Sequence, residues 1–399
     1  MAALALLVGL LSLVVASQAP AASLSARLSR ALGSSGVSWA NTSAFVANLS
    51  TGKLVYARGS KRALRPASNE KLLVALTALD RFGPGSRITT PVIGMGTRQG
   101  PTWRGSLFLK GYGDPTLTYA DLKGLARKIR GSGIRRITGY VLGDESFFDK
   151  RRTAPGWKPS FYKEECPPLS ALIVSRAKVG GYTTSYPALS AAQRFKKALK
   201  AAGVAIPHKA RVGVAPKDGT ILARSLSPGL AYIVQSMDRQ SDNYYAEALL
   251  KRLGRIERGK GSTGAGARVV RNELAKRGIP LAGIRIADGS GLSSLDRVTA
   301  RTVVGLLRSA WKDSRIRKAF FASLPRAGID GTLKDRMERP PARGFLRAKT
   351  GTTNNASALS GYVGARYVFS VVQNGNPVPW TSSRSSQDRF GQILAAAAK

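Results

Sequence analysis

Extended patterns occupy both ends of this 399-residue chain, and helical patterns fill the space between them. Near the start, apolar and polar residues alternate on either side of "STGK", which reads as a β-hairpin over Ala44 to Asn48 and Leu54 to Arg58. Near the end, "RGFLRAKTGTTNNASALSGYVGARYVFSVVQNG" reads as two or three consecutive antiparallel strands, and "DRFGQILAAAAK" as a last helix. Strands so far apart in sequence suggest one antiparallel sheet, closed by bringing the termini together. The expected fold class is therefore α/β (α+β), an antiparallel sheet flanked by helices.

The texture changes from about Ile93. "WRGSLFLKGYGDPTLT" is a strand and a turn, "YADLKGLARKIRGSGI" a basic amphipathic helix, and "RRITGYVLGDESFF" another strand. Strand, helix, strand is a βαβ-like unit. A loop-rich section follows, then a helix from Ala188 to Ala202 and the short strands "ARVGVA" and "GTILARS". The expected division gives 93–220 to one or more inserted domains and 23–92 with 221–399 to the main domain. From Ser227 the pattern turns helical again.

Charge and rare residues exclude several chemistries. Lys+Arg 63 against Asp+Glu 22 gives +41, a surface that attracts polyanions. The basic residues are spread along the chain, so a general solvated shell is the first reading and a dedicated polyanion groove the second. The single histidine, His208, stands in a turn-like stretch, which speaks against a Ser-His-Asp triad and rules out a His-rich zinc site. The single cysteine, Cys166, excludes an intrachain disulfide and reads as an ordinary, partly buried thiol. No cofactor or metal is expected. Residues 1–22 are apolar and then rich in small residues, which reads as a secretory signal peptide, although no Lys or Arg precedes the apolar core.

In "PASNEKLLVALTALDRF", Leu72, Leu73, Leu76 and Leu79 keep helical spacing. Ser68 and Lys71 stand three apart, one turn of a helix, so a hydroxyl meets an amine. A desolvated lysine loses its proton easily and can serve as the base for a serine nucleophile, with no histidine needed. Alone the pair is weak, because Ser-x-x-Lys recurs at Ser160–Lys163 and Ser175–Lys178. On the pair alone, a helix cap for Ser68 and a snorkelling amine for Lys71 are the readier explanations. Two further elements narrow the choice. Ser241-Asp242-Asn243 sits where one helical pattern stops and another begins, and Lys349-Thr350-Gly351 sits on an expected strand, where a glycine lets a ligand approach the backbone. S-x-x-K, S-D-N and K-T-G, in that order, are the joint signature of penicillin-binding proteins and class A β-lactamases.

Around these motifs, "GSLFLKGYGDPTLT", "GDESFFD", "DGSGLSSLDRVTA" and "SLPRAGIDGTLKDRM" extend the likeness over nearly the whole chain. The sequence resembles the low-molecular-mass penicillin-binding proteins of the D-alanyl-D-alanine carboxypeptidase/endopeptidase type, the peptidase S13 family. The resemblance implies a β-lactamase/transpeptidase-like catalytic domain with inserted smaller domains between the first two motifs. It implies Ser68 as the acylated nucleophile, Lys71 as its base and Ser241 as the proton donor to the leaving amine. It further implies Asn243 on the substrate's peptide group, Lys349 holding the neighbouring electrostatics, Thr350 and Thr352 on the terminal carboxylate, and Gly351 among the substrate-binding residues. The backbone N–H groups of Ser68 and Thr352 would form the oxyanion hole. Asp242 is expected to be structural, and Asp288 and Asp330 receive no chemistry.

The implied activity is a serine-type D-Ala-D-Ala carboxypeptidase, with a D,D-endopeptidase action open beside it, working outside the cytoplasm of a bacterium. Its partners would be peptidoglycan stem peptides, β-lactams as covalent inhibitors and anionic wall polymers, with no nucleic acid. Two alternatives stand against it. A β-lactamase-like hydrolase needs a dedicated deacylation base, and no residue stands out as one. An inactive polyanion- or wall-binding protein of the same fold would account for the +41.

Overall fold

A computed structural model describes residues 22–399. The export segment expected over 1–22 thus lies, apart from Ala22, outside the described residues. The first helix, α1 (Leu24–Gly33), precedes the hairpin strands β1 (Thr42–Asn48) and β2 (Leu54–Arg58), which pair antiparallel as expected. Helix α2 (Lys71–Phe82) follows a single 3-10 turn at Ala67–Glu70. Every residue of α2 from Lys71 to Leu79 is buried, so α2 is the central post of the helical core.

The middle of the chain builds a second sheet. Strands β3 (Thr89–Gln99) and β4 (Thr102–Lys110) form a long hairpin. Helix α3 (Tyr119–Gly131), opened by a Thr118/Asp121 capping box, then crosses over to β5 (Val141–Asp144), which lies parallel to β4. This is the βαβ unit read from the sequence. Helix α4 (Pro187–Ala201) packs with α3 on this sheet, and β6 (Thr220–Leu226) closes it beside β3.

The segment after β5 bridges the two cores: Leu172 and Val174 pack in the second sheet's core, whereas Phe148, Cys166 and Leu169 lie against the later helical region at Tyr244 and Ala248. Tyr244 donates its hydroxyl to Ser170 O at 2.6 Å, and buried Lys251 donates to Asp149 Oδ1 at 2.6 Å and Arg151 O at 2.9 Å. Cys166 is fully buried here rather than partly buried, because "ECPPLSALIV" folds under Tyr244 and Ala248; burial pushes its thiol well above the ordinary value, which makes it inert.

The chain then runs through helices α5 (Leu230–Arg239), α6 (Asn243–Arg258), α7 (Thr263–Lys276), α8 (Ala300–Lys312) and α9 (Ser314–Ser323). The C-terminal meander β7 (Leu346–Thr353), β8 (Ala356–Val363) and β9 (Tyr367–Asn374) leads into α10 (Trp380–Ala398). Strand β9 pairs antiparallel with β1, from Thr42 opposite Gln373 to Asn48 opposite Tyr367, giving the order β7-β8-β9-β1-β2. The sheet is closed by the two ends of the chain, as the sequence pattern requires.

Both faces of this sheet are covered. Val368 and Val372 join the core around α2 and α8, whereas Phe369 and Val371 join Leu28, Phe390 and Leu394 from α1 and α10. Side chains alternate across a strand, so two-sided burial demands nearly continuous apolar strands, which is what β8 and β9 show. Among the described residues, no helix is long and apolar enough to cross a membrane.

Candidate active site

Ser68 stands in the 3-10 turn before α2, so its hydroxyl is not a cap: no side chain caps this helix start. Ala67 takes φ +45°, a left-handed conformation rare outside glycine, which turns the following residue out of the helix line. Asn69 anchors the turn to the sheet by donating to Ser360 Oγ at 2.8 Å. Lys71 does not snorkel. It is 0% exposed, and its Nζ lies 3.0 Å from Ser68 Oγ, 2.8 Å from Asn243 Oδ1 and 2.7 Å from Ser290 O. The Ser160–Lys163 and Ser175–Lys178 runs fall in irregular backbone, with Lys163 and Ser175 at positive φ.

Burial drives the Lys71 pKa below the ordinary lysine value, against the pull of Asp288, Asp242, Glu247 and Asp238. Those acids are the larger surprise. Glu70, Glu247, Asp288 and Asp296 are all buried around the base of Lys71. Burial, and then the charge of Asp288, push Glu247 up to about 8, and Glu70 and Asp296 are likewise raised well above their ordinary values. Glu247 is thus largely protonated at neutrality, and burial favours the neutral forms of Glu70 and Asp296. The cluster's structural job is visible in the hydrogen bonds. Glu247 Oε1 accepts from the backbone N–H groups of Gly289 and Ser290, both at 2.9 Å, and Asp288 accepts from those of Gly291 and Ser293. Together they fix the "DGSGLS" loop so that Ser290 O points at Lys71. Gly291 is required there: at φ +81° an added Cβ would lie 1.9 Å from Ala67 O.

Ser241 and Asn243 lie where α5 ends and α6 begins. Ser241 itself takes φ +55°, a strained conformation of a kind that concentrates at functional sites. Lys349 Nζ donates to Ser241 Oγ at 2.9 Å and to Thr350 O at 3.0 Å. Lys349 is fully buried, and burial followed by the neighbouring charge of Lys71 lowers it to about 7. Beneath it lies buried Asp238, raised to about 7 by burial and holding the Ser323 hydroxyl at 2.6 Å. Asp242 is structural as expected: it caps α6 at Tyr245 N and pairs with Arg176. Asn243 Nδ2 donates to Glu165 O at 2.9 Å, which ties the middle segment to the site. Asp330 braces its own loop through Arg326 and Arg239.

Strand β7 is the edge of the main sheet. Its first half is covered, since Ala327 N donates to Leu346 O and Ala348 N to Pro325 O. The second half, from Lys349 to Thr353, faces a cleft of about 470 Å³ lined by Ser68, Ser241, Thr332, Thr350, Thr352 and Arg384. Gly351 lets this edge approach the turn that carries Ser68, because an added Cβ would lie 2.7 Å from Pro66 O. A second hollow of about 200 Å³ opens past Ala67, between Phe161, Leu292, Thr353 and Trp380. All eight sequence-derived site residues therefore converge on one place. The residues that sequence reasoning missed are Glu70, Asp238, Glu247, Ser290, Thr332 and Arg384, together with any role for Asp288. The available signal for Glu247 was its i, i+4 spacing from Asn243, which puts both on one face of α6.

A serine, two buried lysines and an open strand edge on an antiparallel sheet define the class: a serine acyl-transfer fold of the penicillin-binding kind. A family model described as the D-Ala-D-Ala carboxypeptidase 3 (S13) family matches residues 24–185 and 181–397, and the chain belongs to that family. It is 30% identical to the D-alanyl-D-alanine carboxypeptidase of an Actinomadura species, over 84% of this chain and 78% of that one. It is 29% identical to carboxypeptidase DacB of Mycolicibacterium smegmatis, over 88% and 79% of the two chains. The fold matches the crystal structure of penicillin binding protein 4 (dacB) from Haemophilus influenzae, with a TM-score of 0.81, 20% identity, and coverage of 93% of this chain and 99% of that one. That Haemophilus protein has also been crystallised in complex with a β-lactam.

Proposed function

We propose that the chain is a serine-type D-Ala-D-Ala carboxypeptidase that trims peptidoglycan stem peptides through a Ser68 acyl-enzyme. The observation that carries this reading is the set of partners around Lys71. A neutral amine has two N–H donors and one lone pair. Asn243 Oδ1 and Ser290 O are carbonyl oxygens that can only accept, so they take the two N–H groups. The lone pair is left for the third neighbour, the Ser68 hydroxyl.

The reaction follows from this geometry. Ser68 Oγ attacks the carbonyl carbon between the two D-alanines, and its proton passes to Lys71 Nζ. The oxyanion forms between the backbone N–H groups of Ser68 and Thr352, a preorganised pair of the type that supplies the largest share of such catalysis. Ser241 gives its proton to the leaving amine and recovers one from Lys349. Lys349 can do so because a value of about 7 leaves it partly protonated at neutrality. Lys71 hands the Ser68 proton on through Ser241 to Lys349, which restores both amines; water then attacks the acyl-enzyme with the neutral Lys71 as base, and that proton returns to Ser68 Oγ as the shortened peptide leaves. Thr350 and Thr352 meet the substrate's end, and Asn243 its peptide group. The stem peptide runs toward the hollow beyond Ala67.

In this reading 23–92 and 221–399 form the catalytic domain, and 93–220 forms the inserted domains. The protein works outside the cytoplasmic membrane after loss of its leader, is acylated by β-lactams, and holds to anionic wall polymers through its basic surface. The test is fluorescent penicillin labelling combined with D-alanine release from a defined muropeptide. Wild type should label and release D-alanine, and Ser68→Ala should do neither. An unlabelled wild type would sink the enzyme reading, and label surviving in Ser68→Ala would move the nucleophile elsewhere.

A further inference from the structure

Three cations that the acyl-transfer steps do not use line the cleft, Lys334, Arg336 and Arg384, and of these Arg384 is the one that touches the open strand. Arg384 lies on α10, one turn into the helix, and its Nη2 reaches to 3.4 Å from Thr352 Oγ1. Its position is built rather than accidental. Ser383, Ser386 and Gln387 are buried, and Gln387 Nε2 donates to Ser357 Oγ at 2.9 Å. Ser357 is the cross-strand partner of Thr352, so α10 is registered directly onto the open half of β7.

The natural partner for Arg384 within its own helix would be Asp388, four residues on. That carboxylate is already taken. Arg336 donates to it from Nε at 3.0 Å and from Nη2 at 2.7 Å, and Arg336 Nη2 also reaches Arg384 O at 3.4 Å. No carboxylate lies within ion-pair distance of Arg384 among the described residues. An exposed guanidinium thus stands at the cleft wall, touching Thr352, while the anion of its own helix is engaged elsewhere. It stands on the Thr352 side, across the same cleft from Ser68 and Ser241.

We propose that Arg384 is the receptor for the free terminal carboxylate of the substrate, and that it biases the enzyme toward removing a chain-terminal residue over cutting within a cross-link. The inference rests on the carboxypeptidase reading above. A substrate whose scissile carbonyl sits at Ser68 carries its terminal carboxylate one residue further, a span of about 3.5 Å. That places it among Thr350 Oγ1, Thr352 Oγ1 and the Arg384 fork, which matches a carboxylate in planar, bidentate fashion. A C-terminal amide, or a chain that continues, presents no such anion and gains nothing from the charge.

The experiment compares cleavage of diacetyl-Lys-D-Ala-D-Ala as the free acid with its C-terminal amide, using the full chain and the variants Arg384→Ala and Arg384→Lys. Release of D-Ala and of D-alaninamide is followed by mass spectrometry. Arg384→Ala should lower kcat/KM for the acid by about 10- to 100-fold, mainly through KM, and change the amide by less than about twofold. Arg384→Lys should recover part of the loss, since it restores the charge but not the fork. An equal loss on both substrates, or no loss on either, overturns the assignment. Fluorescent penicillin labelling of the same preparations separates the two levels. A labelled, active wild type with an unchanged acid-to-amide ratio in Arg384→Ala removes only the role of Arg384. A wild type that neither labels nor cleaves removes the carboxypeptidase reading and this inference with it.

Discussion

Glu247 shows how a single residue can serve the site without touching a substrate. It is fully buried on α6, and its Oε1 takes two backbone N–H groups that would otherwise be unpaired in the core. Each such group left unsatisfied costs about 1–3 kcal/mol. Glu247→Ala should therefore destabilise the fold by about 3 kcal/mol or more and release Ser290 O from Lys71. Glu247→Gln keeps the acceptor and is neutral, as the glutamic acid itself largely is with a pKa of about 8. That variant should fold normally and keep its penicillin acylation rate within about threefold. The sign of the pH dependence follows from linkage. A carboxyl raised from 4.5 to about 8 binds more protons in the folded state across that window, so its contribution falls as pH rises. The stability of Glu247→Gln relative to wild type should therefore increase between about pH 5 and 8 in paired thermal melts. A constant difference would mean that Glu247 is ionised in the fold.

At the level of elements, the site depends on how closely β7 approaches the turn before α2. Gly351 makes that approach possible. An added Cβ meets Pro66 O at 2.7 Å, Ala358 Cβ at 3.2 Å and Ala67 Cβ at 3.3 Å. Overpacking of this kind costs about 1–3 kcal/mol, and here the strain falls on the turn that carries Ser68. Gly351→Ala should lower the melting temperature by several degrees and slow penicillin acylation by more than about tenfold; unchanged acylation would show that the turn and strand can separate without harm. This strand was legible in the sequence because its alternation and its Lys-Thr-Gly run are local. The hairpin, the βαβ unit and the closure of the sheet by the chain ends were legible for the same reason, since period and turn residues encode them. The acids around Lys71 were not. In "NYYAEALLKRLG", Glu247 and Lys251 look like the solvated stripe of a surface helix, yet both are fully buried. The segment after β5 folds over that face through Phe148, Cys166 and Leu169 and receives Lys251 through Asp149 and Arg151, a partnership with no sequence period to announce it. Arg384 was hidden for a related reason: it is close to Thr352 only because α10 packs across β8.

For the molecule as a whole, the formal charge understates how positive the surface is. Eight of the 22 acidic residues are buried, but only three of the 63 basic ones, Lys71, Lys251 and Lys349. Much of the negative charge is therefore spent inside, where burial also suppresses it, as with Glu70, Glu247 and Asp296. The outer shell is left with few counter-ions of its own and attracts polyanions over a Debye length, about 10 Å at 0.1 M salt. This attraction and the acyl-transfer site depend on different physics, so salt should separate them. Binding of the purified protein to isolated anionic wall polymer, followed by co-sedimentation, should fall by at least about tenfold between 0.1 and 0.5 M NaCl, because release of condensed ions drives it. Over the same range Ser68 should remain stoichiometrically labelled by penicillin, since its environment is set by buried groups that salt does not reach. Binding that persists at high salt would point to a specific wall-polymer pocket in place of a diffuse basic shell. Labelling that fails along with binding would mean that the basic shell is part of the active site's own scaffold.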